Sequence, residues 1–437
     1  MEQAYFLKSN QKNNEYGTFK DSRRAPIHRW FQYPAGYSHK LVKAKINEYA
    51  LNKNSWILDP FAGCGTTIVS AMEYGVNSIG IEAHPFVYKV AKIKTYWNYN
   101  FDKLKQDKDV LFDILDKAER KELSNLHLNG MPELVKKCYS EYNLKKLILI
   151  RDTIQKVILD NRHRDLFNLA LTATLRSASK AGTGWPYIAP NKYHEKVVEK
   201  DAFSEFRGCI TLMLSDLSLT ISNNNETKQV AHILILGDAR KKHLCIPDDS
   251  VDLAITSPPY LNNYDYADRT RLELYFFGMA RTWGEITSKI RNKLIIAATT
   301  QVVRTAQKPL TGEIEDAAPK VFRELQCKID ELQVVRLLKG GRKSYDIMVT
   351  GYFNDMFLVL RSVYEALKPG GVFVLVLGDS APYGVHIPTE VYLGEIAKGI
   401  GFKTYEIELL RKRGDKWASN PQRHTVKLKE SLLTLIK

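Results

Sequence analysis

The sequence predicts an α/β protein built on a doubly wound, mostly parallel sheet. Strand-like apolar runs alternate with helical periodicity from about residue 55 to residue 100, and again from residue 231 onwards. The run Val372–Leu377 is continuously apolar, as expected for a strand that is covered on both faces. Turns rich in glycine or proline follow the runs Trp56–Leu58 and Val251–Thr256. In such a sheet, turns at the carboxyl ends of strands form the ligand-binding edge.

The same patterns divide the chain into five segments. We predict that residues 20–100, 231–282 and 346–437 form the sheet and its covering helices. Residues 101–230 are predicted to be a helical insert, because apolar residues recur there at helical spacing. Residues 283–345 form a second insert that is basic and polar. The second insert gives no clear periodicity.

Two further elements are predicted near the C-terminus. A helix is expected over Phe353–Leu367, followed by a turn at Pro369–Gly371. The tail from Thr425 to Ile436 is predicted to form two short strands on either side of Lys429 and Glu430, because these charged residues interrupt its apolar pattern.

The composition restricts the functional class. Lysine and arginine number 64 against 49 acidic residues, for a formal charge of +15. Such a charge attracts nucleic acids, although a solvated basic surface explains it equally well. The five cysteines lack metal-type spacing, which predicts neither a metal site nor disulfides. We find no membrane-spanning run and no signal peptide, and we therefore expect a cytoplasmic protein without a membrane partner.

A Gly-rich turn, Asp59–Thr67 (DPFAGCGTT), follows the first predicted strand and leads into a helix. Glycines there allow a ligand to approach the backbone, although a plain tight turn has the same sequence character. The turn matches neither a dinucleotide fingerprint nor a phosphate-binding loop with its lysine. Glu82 and Asp238 end two other predicted strands. Taken singly they are typical of helix caps or solvated loops, but three acidic strand ends favour a nucleoside site.

The stretch Asp252–Tyr260 (DLAITSPPY) is the most informative part of the chain. An apolar strand ends there in Ser257, two prolines and Tyr260. Consecutive prolines fix the backbone and remove two donors, which stiffens the turn. A stiff turn suits a site where a carbonyl and a side chain must point at a substrate, whereas a bare Pro-Pro also ends ordinary strands.

The Asp59–Thr67 turn and the Ser257–Tyr260 loop together resemble the DNA amino-methyltransferases that act on N4 of cytosine or N6 of adenine. The segment His28–Ser38 (HRWFQYPAGYS) resembles a further cofactor element of that family. The resemblance covers about half of the chain and leaves out both inserts. It implies S-adenosylmethionine as cofactor and double-stranded DNA as substrate. The cofactor-binding residues it implies, together with the acidic strand ends, are Tyr33, Ala35, Asp59, Phe61, Gly63, Gly65, Thr66, Glu82 and Asp238.

The resemblance also implies how the loop Ser257, Pro258, Pro259 and Tyr260 acts. The Ser257 hydroxyl and the Pro258 carbonyl accept the two N–H bonds of an exocyclic amine, while Tyr260 stacks on the flipped base. Serine at the first position favours N4 of cytosine, with N6 of adenine as the alternative. An RNA base methyltransferase and an inactive DNA-binding subunit are further alternatives. A restriction–modification role implies a cognate endonuclease that acts separately, and the oligomeric state stays open.

Little of the chain follows the last predicted strands, so sequence recognition is expected in an insert. The basic insert is favoured because arginine makes both phosphate contacts and paired contacts to guanine. A solvated surface lobe is the alternative for this insert. The helical insert, which either closes over DNA or packs on the sheet, contributes one candidate. The candidate DNA-binding residues are Arg304, Arg336, Arg342 and Arg176.

Overall fold

The structure is a computed structural model that describes residues 16–33, 36–121, 123–181, 187–190, 198–223, 230–303, 308–339, 341–413 and 426–437. Ala35 and Arg304, both singled out above, lie outside these ranges, and so does Thr425.

The described residues form one seven-stranded sheet with the strand order β3-β2-β1-β4-β5-β7-β6. Strands β1 to β5 pair in parallel, and β7 runs antiparallel to both of its neighbours. The predicted α/β fold with a mostly parallel sheet is therefore confirmed. The strands are β1 (Trp56–Asp59), β2 (Asn77–Glu82), β3 (His232–Leu236), β4 (Val251–Thr256), β5 (Leu367–Gly378), β6 (Thr404–Arg413) and β7 (Leu428–Ile436).

Fifteen α-helices are found in the described part of the chain, and helices 4 to 8 occupy the predicted helical insert. They are α1 (His39–Glu48), α2 (Thr66–Glu73), α3 (Pro85–Lys94), α4 (Phe101–Lys121), α5 (Glu133–Lys137), α6 (Glu141–Val157), α7 (Asn161–Ser177), α8 (Ala202–Asn223), α9 (Tyr266–Arg269), α10 (Arg271–Phe276), α11 (Trp283–Lys289), α12 (Gly312–Ala317), α13 (Pro319–Leu338), α14 (Tyr345–Ala366) and α15 (Thr389–Ile400).

Apolar residues cover both faces of the sheet, as the doubly wound prediction requires. Because side chains alternate along a strand, successive residues of β4 enter different cores. Leu253 and Ile255 pack with residues of α1 on one face. Ala254 packs with residues of α14 and α15 on the other face.

The helical insert packs in a third apolar core, which also contains the N-terminal segment and part of α3. A buried carboxylate anchors the N-terminal segment to α8. Asp216 accepts hydrogen bonds from the Ile27 amide at 3.1 Å and from the Trp30 indole at 3.0 Å, and it pairs with Arg29. Residues 27–30 are thereby held against the insert at the approach to the sheet.

The prediction of two short strands in the tail is wrong, because β7 is a single strand that runs through Lys429 and Glu430. Glu430 is only 2% exposed and lies inside the sheet because it pairs with Arg411 on β6. The sequence pattern shows the charge of Glu430 but does not show that Arg411 neutralises it. Likewise, α14 begins at Tyr345 rather than at Phe353, and the basic insert contains the 20-residue helix α13.

No helix among the described residues is long and apolar enough to cross a membrane. The same part of the chain contains no group of three or more histidine, cysteine, aspartate or glutamate side chains arranged to hold a metal ion.

Candidate functional site

A cleft of about 820 Å³, partly open to solvent, lies at the carboxyl ends of the central strands. Most of the site residues predicted from the sequence line this cleft. Asp59, Gly65, Pro258 and Tyr260 lie behind its surface. The predicted residues that line it are Tyr33, Phe61, Gly63, Thr66, Glu82, Asp238, Ser257 and Pro259.

The Gly-rich turn forms the floor of the cleft between β1 and α2. Gly63 and Gly65 both adopt positive φ angles, of 52° and 87°, which glycine tolerates without a steric penalty. A Cβ atom at Gly65 would lie 3.4 Å from the Cβ atom of Ala91. The turn therefore favours glycine at Gly65 because of its positive φ, whereas the space there would admit a Cβ atom.

Asp59 lies beneath the turn, where it connects three parts of the site. Its carboxylate accepts hydrogen bonds from the Phe61 amide at 3.0 Å, from Tyr37 at 3.3 Å and from Thr256 at 2.6 Å, and it also pairs with Thr67. Burial raises the pKa of Asp59 to about 6, although these donors lower it. Because Thr256 directly precedes Ser257, Asp59 fixes the loop Ser257–Tyr260 relative to the Gly-rich turn.

Glu82 ends β2 and faces the cleft. Its two oxygens accept hydrogen bonds from the backbone amides of Gly63, at 2.8 Å, and of His84, at 2.7 Å. Burial raises the pKa of Glu82 to about 7, although these two hydrogen bonds oppose the shift. The amide contacts orient the carboxylate, and each of its oxygens keeps a lone pair for a ligand.

Asp238 follows β3 and also lines the cleft, but its carboxylate has a partner. The Arg240 guanidinium donates hydrogen bonds to it at 2.9 to 3.1 Å and donates another to Asp355 at 3.0 Å. Burial raises the pKa of Asp238, but the Arg240 hydrogen bonds outweigh this effect and hold it below its usual value. Asp355 also accepts from the Ile296 amide at 2.8 Å, so this network fixes the segment beside the cleft.

The loop Ser257–Tyr260 places Ser257 at the cleft and buries the Tyr260 ring. Ser257 lines the cleft, and its Oγ is enclosed near Tyr260 with no aligned hydrogen-bond partner among the described groups. The Tyr260 ring is 5% exposed and packs in the core, where its hydroxyl donates to Glu430 at 2.9 Å. The backbone amide of Tyr260 donates to the Tyr266 hydroxyl at 3.4 Å, which ties the loop to α9.

The N-terminal segment supplies a tyrosine on the opposite side of the cleft. The Tyr33 ring lies 6.4 Å from the Tyr266 ring, and both residues line the cleft. Tyr37, four residues later, donates to Asp59 as described above. The segment that carries the predicted cofactor element is thus brought to the turn and to the catalytic loop.

Two of the candidate DNA-binding arginines form ion pairs with buried carboxylates. Arg176 forms an ion pair with the fully buried Glu273 and donates to the Arg269 carbonyl at 2.7 Å. Arg336 forms an ion pair with Asp346, which is 1% exposed. Both arginines therefore neutralise buried carboxylates, whatever else they contact. Arg342 lies in the turn between α13 and α14.

The sequence reasoning missed several residues that shape the site. Residues 293–295 of the basic insert form one wall of the cleft. Asp265, which caps α9 just after the catalytic loop, accepts hydrogen bonds at 2.8 Å from both Arg291 and Thr300 of the same insert. Its backbone amide donates to the Tyr187 hydroxyl of the helical insert at 2.7 Å. An aspartate before a short helix is a capping signal that the sequence shows, so Asp265 could have been found. Its distant partners Arg291 and Thr300 could not be found from the sequence.

Comparison with known proteins identifies relatives of the whole chain. Residues 3–93 match the family model described as DNA methylase. The chain is 24% identical to the type II methyltransferase M.BsoBI of Geobacillus stearothermophilus, across 92% of this chain and 83% of that protein. It is also 24% identical to the type II methyltransferase M.AvaI of a Nostoc strain, across 90% of this chain and 82% of that protein.

A shorter similarity of higher identity links the chain to M.MjaII, a type II methyltransferase of Methanocaldococcus jannaschii. The two are 35% identical across 29% of this chain and 23% of the relative. The family match, the relatives that span at least 90% of the chain and the fold agree with one another. These similarities support placing the chain with the DNA amino-methyltransferases of the restriction–modification type.

Proposed function

We propose that this protein transfers a methyl group from S-adenosylmethionine to the exocyclic N4 amino group of cytosine in a specific double-stranded DNA sequence. The observation that carries the proposal is the enclosed Ser257 hydroxyl, which has no aligned partner in the described structure and belongs to the same cleft as Glu82. A hydroxyl without an aligned partner keeps lone pairs that can accept a hydrogen bond from a substrate. An amino group of a substrate is a suitable partner.

The residues of the cleft fit S-adenosylmethionine. The cleft is lined mostly by apolar and aromatic side chains with a few acidic groups, as is usual for small-molecule sites. The Glu82 carboxylate would accept both ribose hydroxyls, and the apolar side chains of Phe61 and Ile295 would pack against the adenine ring. Arg240 donates two hydrogen bonds to each oxygen of Asp238, so Asp238 would accept from the adenine amino group after Arg240 releases one of them.

The rest of the cofactor site is proposed from the turn and from the N-terminal segment. Gly63, Gly65 and Thr66 bring the backbone close to the ligand, with Asp59 bracing the turn from below. Tyr33 lies near the methionine end, and Ala35, outside the described residues, is proposed there on the family resemblance alone.

The bound cofactor supplies an electrophilic methyl group on a sulfonium. An exocyclic amine is a weak nucleophile because its lone pair is delocalised into the ring. The Ser257 hydroxyl and the Pro258 carbonyl accept its two N–H bonds and draw the nitrogen towards tetrahedral geometry. Held in this way, the amine would take the methyl group that the cofactor supplies, leaving a neutral thioether, and would release one amino proton to solvent. Positioning is the main catalytic device.

Two features of the loop hold the target in place. Pro259 stiffens the turn, so that the accepting groups do not relax away from the amine. Tyr260 stacks on the flipped base, which offsets part of the few kcal/mol needed to extrude it. Because the Tyr260 ring is 5% exposed, its neighbours must move aside as the base enters.

Serine in the first position of the loop supports cytosine over adenine as the target, through the family resemblance. The relatives are type II methyltransferases, which supports a role as the modification enzyme beside a separate endonuclease.

The proposal is tested by identifying the methylated nucleoside. The protein is incubated with isotopically labelled cofactor and unmethylated plasmid DNA, the DNA is digested, and the nucleosides are separated by mass spectrometry. We expect labelled N4-methylcytosine. Labelled N6-methyladenine would instead establish the adenine alternative. Label incorporated only into an RNA substrate would favour an RNA methyltransferase, and no labelled product would favour an inactive subunit.

A further inference from the structure

A β-bulge in β6 directs two arginines to the side of the sheet where Tyr260 lies. The pairing of β6 with β7 passes from Leu409↔Ser431 directly to Arg411↔Glu430, which leaves Leu410 as an extra residue. Because side chains alternate along a strand, the extra residue moves Arg411 and Arg413 to the face that carries Glu430. Without the bulge, both arginines would point to the opposite face.

The first of these arginines already has a partner. Glu430 is 2% exposed, and its carboxylate pairs with Arg411 while accepting the Tyr260 hydroxyl at 2.9 Å. This network fixes the Tyr260 ring in its orientation. Arg411 is therefore held by its ion pair with Glu430, which in turn accepts from Tyr260.

The second arginine lies over the catalytic tyrosine. The Arg413 guanidinium carbon is 5.3 Å from the centroid of the Tyr260 ring, within cation–π range. Its Nη1 donates to the Asp379 carbonyl over a long 3.4 Å. Gly378 makes room for both groups, since a Cβ atom there would lie 2.0 Å from Arg413 Nη1 and 2.9 Å from the Tyr260 ring.

We infer that Arg413 contacts the target base at its N3 and O2 edge and so selects cytosine. The inference rests on the proposed function, because it takes the base to stack on Tyr260 with N4 at Ser257. Entry of the base displaces the guanidinium from the ring to the rim of the base, a short movement for a flexible side chain. The edge next to N4 carries N3 and O2, which both accept hydrogen bonds.

The chemistry of the guanidinium matches that edge. Arginine presents parallel N–H donors, so it donates to two adjacent acceptors at once. Adenine held through N6 offers one acceptor, N1, followed by a C–H group. The same arginine therefore makes two hydrogen bonds to cytosine and one to adenine.

The test compares Arg413→Ala with Lys412→Ala as a matched control. Lys412 is exposed and precedes Arg413 on the strand, so its side chain points to the other face, and its loss removes the same charge. Arg413→Ala should slow single-turnover methylation of cytosine by roughly ten- to a hundredfold, the range for losing a paired base contact. Lys412→Ala should match the parent, and calorimetry should give unchanged cofactor affinity for both. A parental rate for Arg413→Ala would overturn the inference.

A second measurement separates base contact from support of Tyr260. Sequencing of methylated DNA identifies the site, and its target cytosine is then replaced by 3-deazacytosine, which carries C–H in place of N3. If Arg413 donates to N3, the analogue should slow the parent more than it slows Arg413→Ala. Equal slowing of both proteins would mean that Arg413 does not touch N3, and the inference would be overturned even if the variant were slow.

The product formed by the parent separates the two proposals. If the parent forms N6-methyladenine, the proposed cytosine specificity fails and the inference fails with it. If the parent forms N4-methylcytosine while Arg413→Ala behaves like Lys412→Ala, the inference about Arg413 fails alone.

Discussion

Asp59 is a buried carboxylate and Glu82 a partly buried one at the same edge of the sheet, and their surroundings give them different tasks. Asp59 has all its described partners within the protein and holds the turn, the N-terminal segment and β4 together. Glu82 is held by two backbone amides and faces the cleft. The second arrangement leaves acceptor capacity for a ligand.

The raised pKa of Glu82 leads to a pH-dependent affinity. Hydroxyl donors and a cationic ligand favour the charged carboxylate, so S-adenosylmethionine should bind the deprotonated form. With a pKa of about 7, affinity should rise with pH through that value and be about tenfold higher at pH 8 than at pH 6. Calorimetric titration of the parent and of Glu82→Gln checks this.

Glu82→Gln is the matched control, because the amino group of the cofactor titrates equally in both experiments. The variant should show no pH step of its own near 7. Glu82→Ala should weaken binding by about 1.5–3 kcal/mol, as expected for losing a charge-assisted hydrogen bond. Unchanged affinity in a folded Glu82→Ala variant would remove Glu82 from the cofactor site.

At this scale the sequence located the groups but not their partners. Asp59, Glu82 and Ser257 were predicted because each ends or follows a strand, and strand ends meet at one edge. The pairing of Asp238 with Arg240 was not predicted, since neighbouring polar residues have many possible partners. The burial of Tyr260 depends on Glu430, 170 positions away in the chain, and no local pattern reports such a contact.

Among the elements, the short helix α9 connects the catalytic loop to both inserts. Asp265 caps this helix and accepts from Arg291 and Thr300 of the basic insert, while its amide contacts Tyr187 of the helical insert. The Arg291 guanidinium also lies 4.2 Å from the ring centroid of Trp283. Both inserts therefore contact the segment that follows Tyr260.

Arg291→Ala should destabilise the protein strongly. Arg291 is 1% exposed and its partner Asp265 is 5% exposed, so the substitution leaves a buried carboxylate without its cation. Breaking such a pair typically costs about 3–5 kcal/mol. The free energy of unfolding, measured in urea, should fall by that amount.

Lys289→Ala provides the comparison. Lys289 lies two residues before Arg291 in the same insert and forms an exposed ion pair with Glu285. Its effect should stay below about 1 kcal/mol. Similar stabilities for the two variants would mean that the Asp265–Arg291 pair does not hold the inserts to the catalytic loop.

The helices and strands were predictable where apolar residues recur at a regular spacing. Strands β1 to β5 were located because apolar runs end there in turns that break the chain. The charged residues of β7 interrupted its pattern, and β6 was not predicted at all. One inter-strand ion pair, Arg411–Glu430, joins the two strands where a periodicity argument expects apolar contacts.

For the whole molecule, a charge of +15 agrees with a polyanionic substrate but does not say which surface binds it. Arg336 and Arg176 neutralise buried carboxylates, so their substitution should lower stability as well as any DNA affinity. The DNA affinity of either variant is therefore measured together with its stability, and Arg304 and Arg342 are the two further arginines that test whether the basic insert reads DNA.

If the basic insert reads DNA, each of these two arginines should act in one of two ways. Loss of a phosphate contact should weaken binding to all sequences and reduce the salt dependence by about one unit. Loss of a base contact should cost about 1–3 kcal/mol on the preferred site alone. Binding to specific and unrelated duplexes at several salt concentrations distinguishes the two. Parental binding and site preference in both variants would shift recognition to the helical insert.

The central claim is that the Ser257 hydroxyl activates the target amine. Single-turnover methyl transfer by Ser257→Ala, with cofactor and DNA affinities measured separately, tests it most directly. Removal of one group that acts only on the developing transition state should slow transfer by about 100-fold or more and leave both affinities unchanged. A Ser257→Ala variant that methylates DNA at the parental rate would contradict the claim.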